Sequence, residues 1–310
     1  MEIIEKLFRK INTIKRKPNT ILIKMVQAIA PLLDDKTYLK IFFYLKVGYK
    51  LDLKNPKTFN QKLNWMKLYY RDEALSRLSD KYEVKEYVKK TIGDQFVVKN
   101  YGVWDAFDQI DFEKLPSKFV LKTTHDQGGV IVCDDKSTFD IDKARAKINK
   151  HLRQNLYYKF REWPYKNIKP RIIAEEFLVD SDKKLDDFKF FCFNGKVKAM
   201  YIATERNSGN VKFDFFDIEF NHLNIVQSYP QSGKSFEKPA NYELMVDLAS
   251  RLSKGLPQVR IDFYNVNGKV FFGEFTFFHH GGLHPFHPEE WDYEFGSYID
   301  LSLVKSTSHQ

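Results

Sequence analysis

The sequence predicts an α+β protein, with a mostly helical N-terminal region followed by a sheet-rich half. Residues 20–90 carry apolar clusters at helical spacing, whereas from Phe119 onward short aromatic and β-branched runs alternate with Asn-Gly and Gly-Gly pairs, the marks of hairpins. Helical stretches at residues 141–158 and 241–254 interrupt the strands. Bulk agrees: 310 residues, 43% hydrophobic and 16% aromatic, supply core for two domains and exclude a disordered chain.

The helical region opens on charge. Residues 1–50 hold 11 Lys/Arg against 4 Asp/Glu, so of the net +9 only +2 is left for the body, and a nucleic-acid partner is not expected. Ile3, Ile4, Leu7, Phe8, Ile11 and Ile14 form one helical stripe ringed by Lys6, Arg9, Lys10, Lys15, Arg16 and Lys17 and stopped by Pro18. Such a helix suits an anionic membrane surface, which makes residues 1–24 the candidate for peripheral contact; a stripe packed on the body is the plainer alternative. The apolar run 21–33 is broken by Lys24, Gln27 and Pro31 and falls short of a membrane span. Recurrent charges from Glu2 to Lys10 do not fit a secretory signal, and Cys133 and Cys192, both in apolar runs, exclude a disulfide framework. A cytoplasmic location is expected, peripheral at the inner membrane face if that helix binds lipid. After Pro56, Thr58 or Asn60 is the expected cap of a helix through Leu63, Met66, Leu68 and Tyr69.

Three segments of the sheet-rich half carry chemistry. In FVLKTTHDQGGVIVCDD, residues 119–135, two strands are joined by a polar loop ending in Gly128 and Gly129. Glycines let backbone approach phosphate oxygens, and Lys122 stands at the end of the first strand; an ordinary hairpin with a rim lysine is the alternative. In DDFKFFCFNGKVKAMYIA, a two-residue Asn194-Gly195 turn pairs 193 with 196, 192 with 197, 190 with 199 and 188 with 201. That register sets Phe188, Phe190, Cys192, Val197, Ala199 and Tyr201 on one face. Asp187, Lys189, Lys196 and Lys198 fall on the other, solvated or, for Lys189, facing phosphate.

The third segment is VRIDFYNVNGKVFFGEFTFFHHGG, residues 259–282. A two-residue Asn267-Gly268 turn followed by regular pairing would set Ile261 against Glu274. A three-residue loop with Gly268 at a bulge instead gathers Arg260, Asp262, Glu274 and Thr276 on one face. Two strand-borne carboxylates suit Mg²⁺ shared with phosphates, and a structural Arg-carboxylate pair is the alternative. Other motifs fail. QSGKS at 231–235 has Ser228 where a P-loop needs glycine, and His279, His280, His284 and His287 lack the setting of a zinc site.

Taken in order, LDLKNPKTFNQKLNWMKLYYRD, DKYEVKEYV, FVLKTTHDQGG, REWPYKNIKPRIIAEEFL, DFKFFCFNGK, VRIDFY, GEFTF and HPFHPEEWDYEFG resemble the ATP-grasp superfamily. Specifically, residues 40–301 resemble the TupA-like ATP-grasp family of bacterial cell-surface polysaccharide loci. The resemblance implies an ATP-grasp fold, two α+β lobes clamping ATP. It divides the chain into a basic helical region (1–60), a pre-ATP-grasp region (61–115), lobe 1 (116–180), lobe 2 with the metal site (181–303) and a tail (304–310).

For nucleotide it implies Lys122, Thr123, Gly128 and Gly129 at the phosphates, Glu175, Glu176, Phe177 and Leu178 at an adenine hinge, Asp180 or Asp182 at ribose, and Asp187 and Lys189 nearby. Lys189 and Arg260 take the catalytic positions and Asp262 and Glu274 the Mg²⁺ ligands. Thr276 stands where the superfamily usually has Asn. His279, His280, Gly281 and Gly282 follow as substrate contacts. The implied chemistry is ATP-dependent amide formation through an acyl phosphate, on small-molecule or glycan-linked carboxylate and amine substrates. The rival is a glycosyltransferase using Asp-x-Asp at 180–182 or 140–142, and a third reading is a basic scaffold docking through the N-terminus.

Overall fold

The computed structural model describes residues 19–179, 186–205 and 209–304. The helix expected over 1–17 and the ribose candidates Asp180 and Asp182 lie outside them. The described residues begin with five α-helices, α1 (Asn19–Ala28), α2 (Asp35–Val47), α3 (Phe59–Tyr69), α4 (Glu73–Ser79) and α5 (Val84–Ile92). Strands β1 (Asn100–Trp104), β2 (Phe119–Thr123), β3 (Val130–Cys133) and β4 (Ile172–Glu176) form an antiparallel sheet in the order β1-β4-β2-β3. Between β3 and β4 run α6 (Ile141–Leu152) and α7 (Leu156–Phe160). A second antiparallel sheet, β10-β9-β5-β6-β7-β8, contains β5 (Asp186–Phe193), β6 (Lys196–Thr204), β7 (Lys212–Phe216), β8 (His222–Leu223), β9 (Val259–Val266) and β10 (Lys269–Thr276). Helix α8 (Tyr242–Leu252) precedes β9, and α9 (Glu290–Ser297) follows β10.

Local chemistry sets the helix ends. Thr58 caps α3 in a reciprocal capping box with Gln61. Asn60, the other cap candidate, is buried and donates to Asp292 Oδ2 at 2.9 Å, tying α3 to the chain's last helix. Two expected boundaries move. A division at residue 60 cuts α3, and one at 115 leaves β1 outside lobe 1, although β1 pairs with β4 along that lobe's sheet.

Both hairpin registers are corrected by bulges. The β9–β10 loop is the two-residue Asn267-Gly268 turn, φ 49° and 74°, with Val266 opposite Lys269, and not a three-residue loop. The extra residue sits inside β10 at Gly273, after which Glu274 faces Asp262, Phe275 faces Ile261 and Thr276 faces Arg260. A Cβ at Gly273 would lie 3.1 Å from the Asp262 carbonyl oxygen, so glycine is the residue that lets the bulge close on β9.

In β5–β6 the turn pairs 193 with 196 and 192 with 197 as expected, but a bulge then sets Phe191 opposite Ala199, Phe190 opposite Met200 and Lys189 opposite Tyr201. Tyr201 therefore shares the Lys189 face. That face is also not a solvated surface: Asp187, Lys189, Phe191 and Tyr201 are buried, and only Lys196 and Lys198 near the turn reach solvent. One side of this sheet packs on α8, with Phe190 and Phe263 among the buried rings. The other side meets Phe59 of α3 and Phe295 of α9, and continues into the polar centre of the molecule.

Candidate functional site

The corrected registers align three strands so that Lys189, Asp262 and Glu274 lie side by side across β5, β9 and β10. Arg260, two residues before Asp262 on the same face, gathers them. Its Nε donates to Asp262 Oδ1 at 2.7 Å. Its Nη2 donates to Asp262 Oδ2 at 2.7 Å, to Thr276 Oγ1 at 2.9 Å and to Glu274 Oε1 at 3.3 Å. Lys189 pairs with Asp187 at 2.7 Å and also with Asp262. Asp262 is 1% exposed, and burial alone would raise its carboxyl, but Arg260 and Lys189 hold it down at about 2. The Glu274 side chain is 44% exposed and marks the open side of the cluster.

The facing lobe contributes a second charged centre. Lys122 Nζ lies 2.6 Å from Glu175 Oε2, and Lys85 of α5 lies 2.5 Å from Oε1. Burial opposes ionisation of Glu175, yet the two lysines keep it at about 2. The expected adenine contact is thus, in its side chain, the counterion of two lysines. Glu176 beside it is exposed, and Phe177 and Leu178 are half-buried. No sequence pattern marks Lys85, which lies in the first turn of α5, with Lys81 in the turn just before that helix.

The loop between β2 and β3 is locked from within. Thr123 Oγ1 donates to the Asp126 carboxylate, whose other oxygen meets Nδ1 of His151 on α6. Gly128 has φ 90°, and a Cβ on Gly129 would overlap the Thr123 hydroxyl, so neither glycine is replaceable. Thr123 therefore shapes the loop, leaving Gln127 and Gly128 exposed at its tip. Lys81 donates to the Asp126 carbonyl at 2.5 Å. A small cavity lined by Lys81, Asp126, Gln127, Tyr165, Gly273 and Glu274 joins this loop to the bulged carboxylate strand.

The turn His279–Gly282 does not line this cavity. Arg260 Nη1 donates to His279 Nδ1 at 2.8 Å, and His279 Nε2 donates to Gln227 Oε1 at 2.7 Å. The ring is fully buried, and burial drives its pKa well below the usual histidine value. His279 thus supports Arg260 from a fully buried position, where the sequence expectation is a substrate contact. His280 is likewise driven down, to about 3, chiefly by burial, and stacks between Phe213 and His284. The Gly281 carbonyl accepts from Lys67 at 2.6 Å and the Gly282 carbonyl from Asn64 at 2.7 Å, both on α3. Both carbonyls tie the turn to α3.

The donors fit an oxygen-preferring cation. Asp262, Glu274 and Thr276 converge on a single guanidinium nitrogen, a hard-oxygen focus already occupied by positive charge. Among the described residues no group of three or more His, Cys, Asp or Glu is placed to hold a metal, so carboxylates at this focus need oxygens from substrate or water. Of the Asp-x-Asp pairs, Asp140 is spent as the N-cap of α6, accepting from the Lys143 amide at 2.9 Å.

Comparison with solved structures finds similarity to D-alanine-D-alanine ligase from Helicobacter pylori, at 14% identity over 81% of this chain and 70% of that one, with a TM-score of 0.42. The corresponding ligase from Bacillus anthracis, complexed with ATP, is similar at 13% identity over 74% of this chain and 65% of that one, with a TM-score of 0.41. N5-carboxyaminoimidazole synthetase from Staphylococcus aureus is 14% identical over 64% of this chain, with a TM-score of 0.39; the match spans 44% of that enzyme's length. No curated protein matches the sequence. A family profile described as TupA-like ATPgrasp matches residues 61–300. That match begins inside α3, ends beyond α9 and takes in both sheets with every side chain of the charged centre, so the chain belongs to the TupA-like ATP-grasp family.

Proposed function

We propose that the protein is an ATP-dependent carboxylate–amine ligase that forms an amide during cell-surface polysaccharide synthesis, at the cytoplasmic side of the membrane. The reading rests on one observation above others: the cavity between the β2–β3 loop and the bulged strand is lined by Lys81, Asp126 and Glu274, and Glu274 is the half-exposed acid of the cluster that Arg260 gathers. A carboxylate is a poor acyl donor because oxide is its leaving group. Attack of a carboxylate oxygen on the terminal phosphorus of ATP releases ADP and gives an acyl phosphate; an amine then displaces phosphate, loses a proton and leaves the amide.

In this scheme Lys122 binds the nucleotide phosphates, and Lys189 and Arg260 balance charge on the transferred phosphoryl. The tip of the Gln127–Gly128 loop covers them, and the backbone after Glu175 meets adenine. Asp262, Glu274 and Thr276 would hold Mg²⁺, which supplies charge neutralisation between phosphate oxygens. A uronic acid as carboxylate and an amino acid or amino alcohol as amine is the pairing proposed, free or glycan-linked. The test is product release: purified protein with ATP and Mg²⁺ should give ADP and phosphate only when a matching carboxylate and amine are both present. UDP release from a UDP-sugar, without ATP, would replace this reading with glycosyl transfer.

A further inference from the structure

The apolar arc of helix α1 is wider than the part of it that packs on the body. Ile23 and Val26, with Ala30 just beyond its end, turn inward onto Tyr38, Leu39, Phe42 and Phe43. Ile21, Leu22, Met25 and Ile29 are 44%, 48%, 59% and 46% exposed, and at helical spacing they fall within about 100° of one another, adjoining the buried side. Leu32, in the short turn that follows, is 85% exposed. A helix that packs one face on a body normally offers water a polar face, whereas here an apolar strip stands exposed beside the buried one, and Thr20, Lys24 and Gln27 take the remaining side. The turn after the helix and α2 beside it are tied to the body: Arg161 donates to the carbonyls of Ala30 at 2.5 Å and Leu33 at 3.3 Å, and Tyr38 donates to the Lys159 carbonyl at 2.8 Å.

Charge identifies what covers the outer face. Lys24, Lys36, Lys40, Lys46 and Lys50 are exposed on and beside this helix pair. The two acids of the region are engaged within the fold: Asp34 caps α2, and Asp35 is paired with Arg71 and Arg161 at 3.0 Å each. A second copy of the chain would set one +7 segment against another. We propose that the outer face of α1 docks on an anionic lipid surface, with Leu22, Met25, Ile29 and Leu32 entering the acyl boundary and the lysines meeting headgroups. Because the turn that ends α1 is held to the body through Arg161, docking would fix the orientation of both lobes and not merely tether them.

The full chain should co-sediment with vesicles containing about 30% phosphatidylglycerol at least tenfold more strongly than with pure phosphatidylcholine, and lose most of that binding at 0.5 M salt. Met25→Asp with Ile29→Asp should cut binding about tenfold or more while the melting temperature holds. Lys36→Glu with Lys40→Glu, which leaves the apolar face intact, should reduce binding to phosphatidylglycerol alone. Absence of wild-type binding, or equal binding by the Met25/Ile29 variant, overturns the proposal. So does a wild-type dimer, seen by sedimentation, that the same variant converts to monomer without affecting vesicles. ADP release is unaffected by any of these outcomes, so the ligase reading stands or falls separately.

Discussion

Arg260 Nη1 lies 2.8 Å from Nδ1 of His279, and a guanidinium has no acceptor, so the imidazole receives this bond on an unprotonated nitrogen. Its other nitrogen then carries the proton given to Gln227. The ring is therefore a neutral brace behind the arginine that gathers Asp262, Glu274 and Thr276.

This fixes a pH response. The folded-state pKa of His279 is depressed, so below the unfolded value of about 6.5 the unfolded chain binds a proton that the folded chain does not, and stability falls as pH drops. His279→Gln supplies one acceptor and one donor, and should flatten the decline between pH 7 and 5 in urea titrations while keeping turnover within about tenfold. His279→Phe removes the acceptor; it should lower kcat more than it raises KM for ATP, since Arg260 loses its aim and not its charge.

The two carboxylates should separate stability from activity. Asp262 is buried between Arg260 and Lys189, so Asp262→Asn strands two cations and should cost about 3–5 kcal/mol in stability along with turnover. Glu274 is half-exposed, so Glu274→Gln should cost at most about 1 kcal/mol yet remove nearly all Mg²⁺-dependent ATP turnover. Thr276→Asn keeps an oxygen acceptor for Arg260 and should be tolerated in both assays. Full activity in Glu274→Gln would reject the proposed metal position.

Lys85, Glu175 and Lys122 form a buried set with one positive charge in excess, suited to an incoming phosphate. Lys85→Met leaves a balanced pair and should weaken ATP binding about tenfold with the fold intact, measured by titration calorimetry. Glu175→Gln strands both lysines and should destabilise by about 3–5 kcal/mol. Since Glu175 sits at about 2, below its unfolded value, its contribution is present above about pH 4.5 and lost as pH falls toward 2.

The clustering around Arg260 was legible because alternation in a strand reports which side chains share a face. Arg260, Asp262, Glu274 and Thr276 do share one. The means were not legible: an in-strand bulge at Gly273 and a longer turn make the same correction to alternation, and only the observed pairing distinguishes them. In β5–β6 the residue that slips the register is Lys198, which carries no turn signal, so Tyr201 was assigned to the wrong face. Strand β1 hides for another reason, since Asn-Tyr-Gly-Val-Trp is half-buried along its length and shows no alternation. The anchoring lysines were beyond reach because burial is a property of distant partners: Lys67 meets the Gly281 carbonyl from 214 residues away.

That last lysine carries a prediction of its own. Lys67 is 1% exposed and Glu162 5%, and burial disfavours both charges, lowering the lysine to about 8 and raising the carboxyl to about 7. Lys67→Met should remove the bond that holds Gly281 and leave Glu162 buried without its cation. Above pH 7 that carboxyl is charged, or must take a proton from alkaline solvent; at pH 5 it is already neutral. The loss of stability should therefore be several kcal/mol at pH 8 and distinctly smaller at pH 5, a comparison in which His279 cancels because both proteins carry it. Adding Glu162→Gln to Lys67→Met should restore much of the pH 8 stability by removing the stranded charge. It should not restore turnover fully, because the Gly281 carbonyl still lacks its donor and the turn bearing His279 is less firmly seated behind Arg260. Equal losses at pH 5 and pH 8, or a double variant no more stable than the single, would show that Lys67 acts through packing alone.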